Sequence, residues 1–527
     1  MAMVAYRVPR AGAVECAADR AMDHPSAPPY DLLIVGAGIN GAGIARDAAG
    51  RGMTVLLVEQ ADIASATSSW STKLVHGGLR YLEHYEFRLV RESLGEREVL
   101  LHAAPHLVQP LSFVLPHEPH LRPAWMIRAG LFLYDHLGRR ESLPGSFGVD
   151  LSGTPWGAGL KSRFRRGFVY SDARVDDSRL VVANVLAAHG AGATVLVRTR
   201  FGSAKRAEGM WKAQLIDADG RTMHVAARAI VNAAGPWVKR VRDTITTSPA
   251  RENVRHIKGS HIVVPRVHSG EHAYILQNAD QRIVFIIPYQ DAFSLIGTTD
   301  IAVEEYEHPQ ISPDELDYLL KLANTYLEKP LTARDVVWSY SGVRPLYDDG
   351  ASDPSSITRD YVLRVDGTPG EAPLLSVFGG KLTTYRKLAE HALAELRAWF
   401  PAMRGEWTAD ASLPGGDMPN GDFARYAREM LPRFAHLPPD VVRGMLRRHG
   451  TRTIEILRDA KRPSDLGQQF GHGLTAWEID YFMREEWVRA ADDVLWRRTK
   501  AGLAMSAAQR NAVTAYVERT IAHGALA

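Results

Sequence analysis

Two short runs of apolar, mostly branched residues open the interpretable part of the chain. Asp31-Leu-Leu-Ile-Val35 and Thr54-Val-Leu-Leu-Val58 are apolar at consecutive rather than alternate positions. A strand with two apolar faces belongs inside a parallel sheet covered on both sides. Between the runs, Ala42 to Gly50 reads as a helix closed by Gly50 and Gly52. The pattern therefore predicts a compact strand–helix–strand unit. Ala193-Thr-Val-Leu-Val197 reads as a further strand, and so does Arg228-Ala-Ile-Val-Asn-Ala-Ala-Gly-Pro-Trp237, ending in a Gly-Pro turn.

Between 255 and 300 the apolar runs become shorter and closer. His261-Ile-Val-Val264, Arg282-Ile-Val-Phe-Ile-Ile287 and Phe293-Ser-Leu-Ile296 are separated by turn residues, which predicts antiparallel strands. Ser312-Pro-Asp-Glu315 has the form of a capping box with Pro at the first helical position, so a helix should follow. Leu374-Leu-Ser-Val-Phe378 then Gly379-Gly380 reads as a last strand turning into a helix. Beyond about 400 the strand signals fade. Thr475-Ala-Trp-Glu478 is a second capping box, expected to open a long helix through Trp487, Val488, Leu495 and Trp496.

Composition narrows the class without choosing a function. The 527 residues are 46% hydrophobic and 23% charged, which suits a folded globular chain of several units. Lys+Arg 63 against Asp+Glu 60 gives +3, with no concentrated basic excess, so no nucleic-acid partner is expected. The one cysteine, Cys16, cannot form an internal disulfide or a thiolate metal site; no metal is expected, and a reducing compartment is the simplest reading. No run is long and apolar enough for a transmembrane helix. Residues 1–29 read as a solvated, disordered N-terminal extension rich in Ala and Pro, with Met22 as an alternative start.

Gly36-Ala-Gly38-Ile-Asn-Gly41 sits where the first strand should turn into its helix. In that context each glycine has a task. Gly36 makes the tight turn, Gly38 lets a pyrophosphate approach the backbone, and Gly41 lets helix and strand pack closely. The helix N-terminus offers N–H groups and a positive dipole end to the phosphates. Glu59, closing the second strand, can accept from a ribose 2′-hydroxyl, which disfavours a 2′-phosphate. The fingerprint lies near the start of the chain, the strand Ala227–Gly235 can return to the same sheet, and no second GxGxxG marks a nicotinamide site. These features favour FAD over NAD.

Several motifs together resemble one family. Ala37-Gly-Ile-Asn-Gly-Ala-Gly-Ile-Ala-Arg-Asp-Ala-Ala-Gly-Arg-Gly52, Ala66-Thr-Ser-Ser69, Lys73-Leu-Val-His-Gly-Gly-Leu-Arg-Tyr-Leu-Glu-His-Tyr85 and Lys258-Gly-Ser-His-Ile-Val-Val-Pro265 resemble the FAD-dependent glycerol-3-phosphate dehydrogenases. So do Ile296-Gly-Thr-Thr-Asp300, Tyr340-Ser-Gly-Val-Arg-Pro345 and Phe378-Gly-Gly-Lys-Leu-Thr-Thr-Tyr385. The match runs in order from about 31 to at least 500. It implies an α/β fold: a glycine-oxidase/glutathione-reductase-like, FAD-binding Rossmann domain, an antiparallel-sheet substrate domain, and a helical C-terminal domain. The first two are expected to interleave over 30–400, with FAD segments near 30–110, 170–245 and 335–400; the third is expected over 401–527.

The implied reaction is oxidation of sn-glycerol 3-phosphate to dihydroxyacetone phosphate, with electrons passing through FAD to ubiquinone or menaquinone at the cytoplasmic face of the membrane. A phosphate dianion calls for Arg forks and a Lys, and the C2 hydroxyl calls for a base. The resemblance assigns Arg80, Tyr81, Arg344 and Lys381 to substrate, with Arg344 also near the developing charge on the C2 oxygen. His76 is the first choice of base and His261 the second. The coenzyme set implied is Gly36, Gly38, Asn40, Gly41, Glu59, Thr67, Ser68, Ser69, Lys73, His76, Gly77, Gly78, Ala234, Gly235, Trp237, Gly379, Gly380, Lys381, Leu382 and Thr383. Gly379, Gly380 and Leu382 are expected to begin the last helix, its N-terminus facing the pyrimidine end of the flavin.

A lipid-soluble acceptor requires membrane contact. Residues 122–140 combine Trp125, Met126, Ile127, Leu131, Phe132 and Leu133 with Arg122, Arg128, Arg139 and Arg140, the pattern of a peripheral or monotopic interfacial helix. Packing of this helix on the core is the alternative, and a homodimer is a further partner to consider. Related oxidases use oxygen and carry a longer insertion before Gly-Gly-Lys. The short segment from Arg344 to Lys381 favours the dehydrogenase over a glycerophosphate oxidase or an amine or hydroxy-acid oxidase of the same fold.

Overall fold

The computed structural model describes residues 28–118, 123–138, 140–245, 253–278, 282–348, 360–368 and 370–523; the side chains of Arg80 and His84 also lie outside the description. The N-terminal extension with Cys16 and Met22, and Arg122 and Arg139 of the basic apolar segment, fall outside it.

The doubly apolar runs form the centre of the first sheet. Its order is Val362–Asp366, Leu374–Phe378, Thr222–Asn232, Tyr30–Val35, Val55–Val58 and Thr194–Leu196. The last five strands of that path are parallel, and Val362–Asp366 is antiparallel to its neighbour. Leu32, Leu33, Ile34, Leu56 and Leu57 are fully buried, as apolar residues on two faces of a covered sheet must be. The helix Ile39–Gly50 crosses between the first two strands and packs beside the helices Asp177–Gly190 and Tyr385–Glu395. It packs closely because Gly43 presents no side chain: a methyl there would lie 2.6 Å from the Tyr385 ring. The hairpin Arg200–Ala207 and Met210–Ile216 extends the outer part of Thr222–Asn232.

The second sheet is almost wholly antiparallel. Val254–Pro265 pairs with Trp338–Tyr347 on one side and with Phe293–Gly297 on the other. Ile283–Tyr289, Ala273–Gln277, Val108–Pro116 and Arg166–Val175 continue the order. The three runs expected as antiparallel strands are therefore strands of this sheet. The helix Pro313–Tyr326 closes one face, and its Ser312–Glu315 capping box forms in both directions.

A separate hydrophobic cluster, from Met418 to Val517, holds the C-terminal helices together. Its contact with the coenzyme-type sheet is ionic and buried. Arg498, with no exposed side-chain surface, bonds both oxygens of Asp62 at 2.8 Å, and Arg497 reaches Asp62 at 2.5 Å. Arg179 pairs with Glu486, and Glu478 receives Arg448 at 2.7 Å and His449 at 2.9 Å.

Several expected boundaries move. The first helix starts at Ile39, inside the glycine motif, and the strand read as 228–237 runs from Thr222 to Asn232. The last coenzyme-side helix starts at Tyr385, not at Gly379, because Gly379 and Gly380 both take positive φ and the chain turns through 381–384 first. Thr475 caps its helix as expected, but that helix stops at Glu485. Trp487 takes φ +56°, so the pattern through Trp496 is broken into two pieces, the second a short wide turn over Asp493–Arg498. The C-terminal region also holds a small hairpin, Gln469–Gly471 with Leu474–Thr475.

Candidate active site

The site begins where the parallel strands end. Gly36 takes φ +104°, and a methyl there would lie 2.7 Å from the Ala233 carbonyl oxygen. The neighbouring strand therefore closes directly on the turn, its Ala233 N–H donating to Val35 at 3.0 Å. A methyl at Gly41 would lie 1.9 Å from the Gly36 carbonyl oxygen, so only glycine lets the helix start this close to the strand. Gly38 faces the Ser68 hydroxyl, which accepts from the Ile39 N–H at 2.9 Å. Glu59 accepts from the Ala37 N–H at 2.8 Å and the Ala61 N–H at 2.9 Å. Each carboxylate oxygen keeps lone pairs free for a ribose hydroxyl. Burial pushes its carboxyl up from the ordinary value, against those N–H donors.

Four other segments meet this turn. Asn40 donates from Nδ2 to the Gly379 carbonyl at 3.1 Å, and its buried Oδ1 has no partner among the described residues. Gly380, at φ +94°, leaves room for that amide: a methyl would lie 2.7 Å from Nδ2. Thr67 donates to the Val343 carbonyl at 2.6 Å, joining the 67–69 turn to the strand that carries Arg344. The His76 N–H donates to the Thr383 hydroxyl at 3.3 Å. Lys381 lies 4.0 Å over the Tyr81 ring. The segments 36–41, 67–69, 76–81, 343–345 and 379–383 are thus brought together, although they are scattered over the sequence.

The cationic and titratable groups differ in their engagement. The Lys381 Nζ is buried and has no hydrogen-bond acceptor among the described residues. Arg344 is partly exposed and reaches Asp300 at 3.4 Å; a methyl on Gly259 would lie 3.0 Å from its guanidinium. Burial lowers the His76 pKa; the Asp172 charge opposes that shift and the Lys381 charge adds to it. His261 is 2% exposed, its Nε2 is 3.0 Å from the Thr72 hydroxyl, and its ring stacks on Tyr340 at 4.8 Å. Burial, then the Lys73 and Arg344 charges, push it well below the ordinary histidine value. Both imidazoles are therefore neutral at neutral pH and free to take a proton.

Other expected residues have partners within the fold. Lys73 is buried, and its ammonium bonds Asp177 at 2.8 Å and the Ser69 carbonyl at 2.9 Å. Ser69 in turn donates to the Ala64 carbonyl. The Ala234 N–H donates to Asn232 at 3.3 Å, Gly235 takes positive φ, and Trp237 packs edge-on against Tyr306. Leu382 packs on the central core. Gly77 and Gly78 keep their loop free of side chains: methyls there would meet Leu94 at 2.5 Å and Tyr81 at 2.2 Å. The sequence reading gave no role to Thr72, Asp172, Tyr134 or Asp300. Asp300 stood inside a quoted motif, whereas Tyr134 and Asp172 meet the site only through the tertiary fold.

These features fit a flavin dinucleotide: a side-chain-free turn for the pyrophosphate, a carboxylate for the ribose, and an unpartnered Asn40 oxygen beside Gly380. Residues 31–386 match the model of the family described as FAD dependent oxidoreductase, and residues 407–522 that of the C-terminal domain of alpha-glycerophosphate oxidase. A glycerol-3-phosphate dehydrogenase of Pseudomonas aeruginosa is 52% identical, covering 95% of this chain and 98% of its own. A D-erythritol 1-phosphate dehydrogenase of Brucella abortus is 50% identical over 92% of this chain and 96% of its own. The Bacillus halodurans glycerol-3-phosphate dehydrogenase, solved with FAD, superposes with a TM-score of 0.72 at 27% identity, covering 95% and 96% of the two chains. The expected fold and coenzyme are thereby borne out. With its glycine cradle, its two-sheet architecture and its C-terminal helices all matched, this chain belongs to the family of FAD-dependent glycerol-3-phosphate dehydrogenases.

Proposed function

We propose that the protein oxidises sn-glycerol 3-phosphate to dihydroxyacetone phosphate, with a membrane quinone as the final electron acceptor. The observation that carries this reading is Lys381: a buried ammonium with no acceptor among the described residues, held between Tyr81 and the His76 loop. A buried unpaired cation is costly, and a phosphate dianion is the ligand class that repays it. Arg80 enters the same 3-10 turn as Tyr81 and is assigned to the phosphate with it.

When bound, FAD supplies the two-electron acceptor for the hydride that leaves C2. Gly36, Gly38, Gly41 and Glu59 would hold its dinucleotide part, and the 76–78 and 379–383 segments its ring. Arg344 exchanges its long contact with Asp300 for the C2 oxygen and stabilises the negative charge that grows there. His76 takes the hydroxyl proton on its neutral imidazole. It is the better base of the two because the Asp172 charge favours its protonated form against the Lys381 charge, whereas the Lys73 and Arg344 charges oppose protonation of His261. His261 orients the substrate. Lys73, Ser69 and Trp237 support the coenzyme loops from behind.

The membrane assignment rests on the helix Ala124–Leu137. It buries Leu131 and Tyr134 but leaves Trp125, Met126, Phe132 and Leu133 exposed, beside an exposed Arg128. An apolar face edged by cations suits the headgroup region of the cytoplasmic leaflet. Among the described residues no helix is long and apolar enough to cross a membrane.

The four-carbon substrate named for the Brucella relative supplies a second reading, a longer polyol phosphate. Steady-state assays with glycerol 3-phosphate and erythritol phosphates, each with a quinone analogue or with oxygen alone, separate the readings. Preference for glycerol 3-phosphate and quinone supports the proposal. Turnover with oxygen alone at the same rate would assign an oxidase.

A further inference from the structure

The helix Ala124–Leu137 lies mostly outside the cores, yet it drives one hydroxyl into the polar floor of the site. The Tyr134 hydroxyl lies 2.9 and 2.7 Å from the two oxygens of Asp172, and the Gly77 N–H donates to it at 2.9 Å. A hydroxyl has one proton and two lone pairs, so Tyr134 donates to the carboxylate and accepts from the backbone. Asp172 is 1% exposed and pairs with Arg97 at 2.7 Å; its own contact with the Gly77 N–H is longer, at 3.3 Å. Gly77 is fitted to this hydroxyl, since a methyl there would lie 2.6 Å from it.

We propose that Tyr134 is a positioning residue for the reaction: it fixes the His76–Gly77–Gly78 loop, and through it the imidazole of His76. This rests on the reading of His76 as a site residue. The loop has two anchors. On one side the His76 N–H meets Thr383, next to Lys381. On the other the Gly77 N–H meets Tyr134. Gly77 and Gly78 have no side chains to brace the loop, and Gly78 takes φ +74°. Losing the hydroxyl leaves the Gly77 N–H with only the long Asp172 contact and removes one donor from a buried carboxylate. A backbone shift of a fraction of an ångström at Gly77 is passed directly to His76, and misplacement on that scale is enough to slow a reaction that depends on geometry.

The test compares Tyr134→Phe, which keeps the ring, with Leu131→Val on the same helix, which loosens packing only. Both are studied as FAD-loaded full-length protein. Tyr134→Phe should bind FAD, alter its visible absorbance and circular dichroism, and lower kcat about tenfold with little change in KM. It should also slow anaerobic flavin reduction by the same factor. Leu131→Val should lower the melting temperature and leave the flavin spectrum and kcat unchanged. If Tyr134→Phe behaves like Leu131→Val, the hydroxyl is merely structural and the proposal fails. Should wild-type flavin stay oxidised with glycerol 3-phosphate, the functional reading fails instead, and the spectral comparison still decides whether Tyr134 shapes the flavin pocket.

Discussion

In the proposed reaction Lys381 and Arg344 divide one task between a buried charge and a partly exposed one. Lys381 has no acceptor among the described residues; if it holds the phosphate as proposed, Lys381→Met should raise KM about 100-fold, read in steady-state kinetics. Arg344 has an alternative partner in Asp300, so its loss is felt where charge grows. Arg344→Ala should lower kcat by about 10²–10³ while the yellow flavin stays bound, checked by turnover beside flavin absorbance. The pH dependence has a fixed sign. Burial lowers the His76 pKa below 6.5, and the base must be neutral to act. The acid limb of kcat/KM should therefore fall below pH 6.5, and Asp172→Asn, which removes the charge that favours the imidazolium, should move it lower still.

At the scale of elements, the glycine turn makes the sharpest demand. Gly41→Ala places a methyl where the Gly36 carbonyl stands, so it should weaken FAD binding about tenfold or more in equilibrium dialysis. This turn was legible in the sequence because its requirements are local: a strand, a glycine pattern and an acid at the next strand end. Gly379–Gly380 were legible as a turn but not as to its length, since two successive positive φ angles delay the helix to Tyr385. Trp487 broke an expected helix for a similar reason. Its neighbours Glu486 and Asp493 are held by arginines of other elements, and periodicity carries no trace of such partners. Lys73 reads like a coenzyme ligand by position, and only the fold brings Asp177 to it. Tyr134 and Asp172 carry no local signal at all.

At the scale of the molecule, the C-terminal helices are tied to the coenzyme sheet by buried charges. Asp62→Asn takes the paired carboxylate from Arg498, which keeps Glu486, and from Arg497, which keeps Asp493, and should cost about 3 kcal/mol in denaturant unfolding. Acid should loosen the same seam. Burial, helped by the Arg179 and His449 charges, lowers His106 to about 3, so this group contributes stability above its unfolded value of 6.5 that is lost progressively as pH falls towards about 3. Within the C-terminal helices beside it, burial alone would raise Glu478, but Arg448 and His449 hold it at about 2, so its contribution is lost below 4.5. The exposed face of Ala124–Leu137 gives a further expectation. Trp125→Ser with Phe132→Ser should abolish co-sedimentation with anionic vesicles and leave turnover with a soluble quinone analogue unchanged.

The central claim is that a buried lysine and a partly exposed arginine from distant parts of the chain present a phosphorylated polyol to the flavin. Anaerobic addition of glycerol 3-phosphate to the FAD-loaded protein tests it most directly. Rapid bleaching of the flavin, reversed by a quinone analogue and lost in Arg344→Ala, is the predicted result; a flavin that stays yellow with saturating substrate would contradict it.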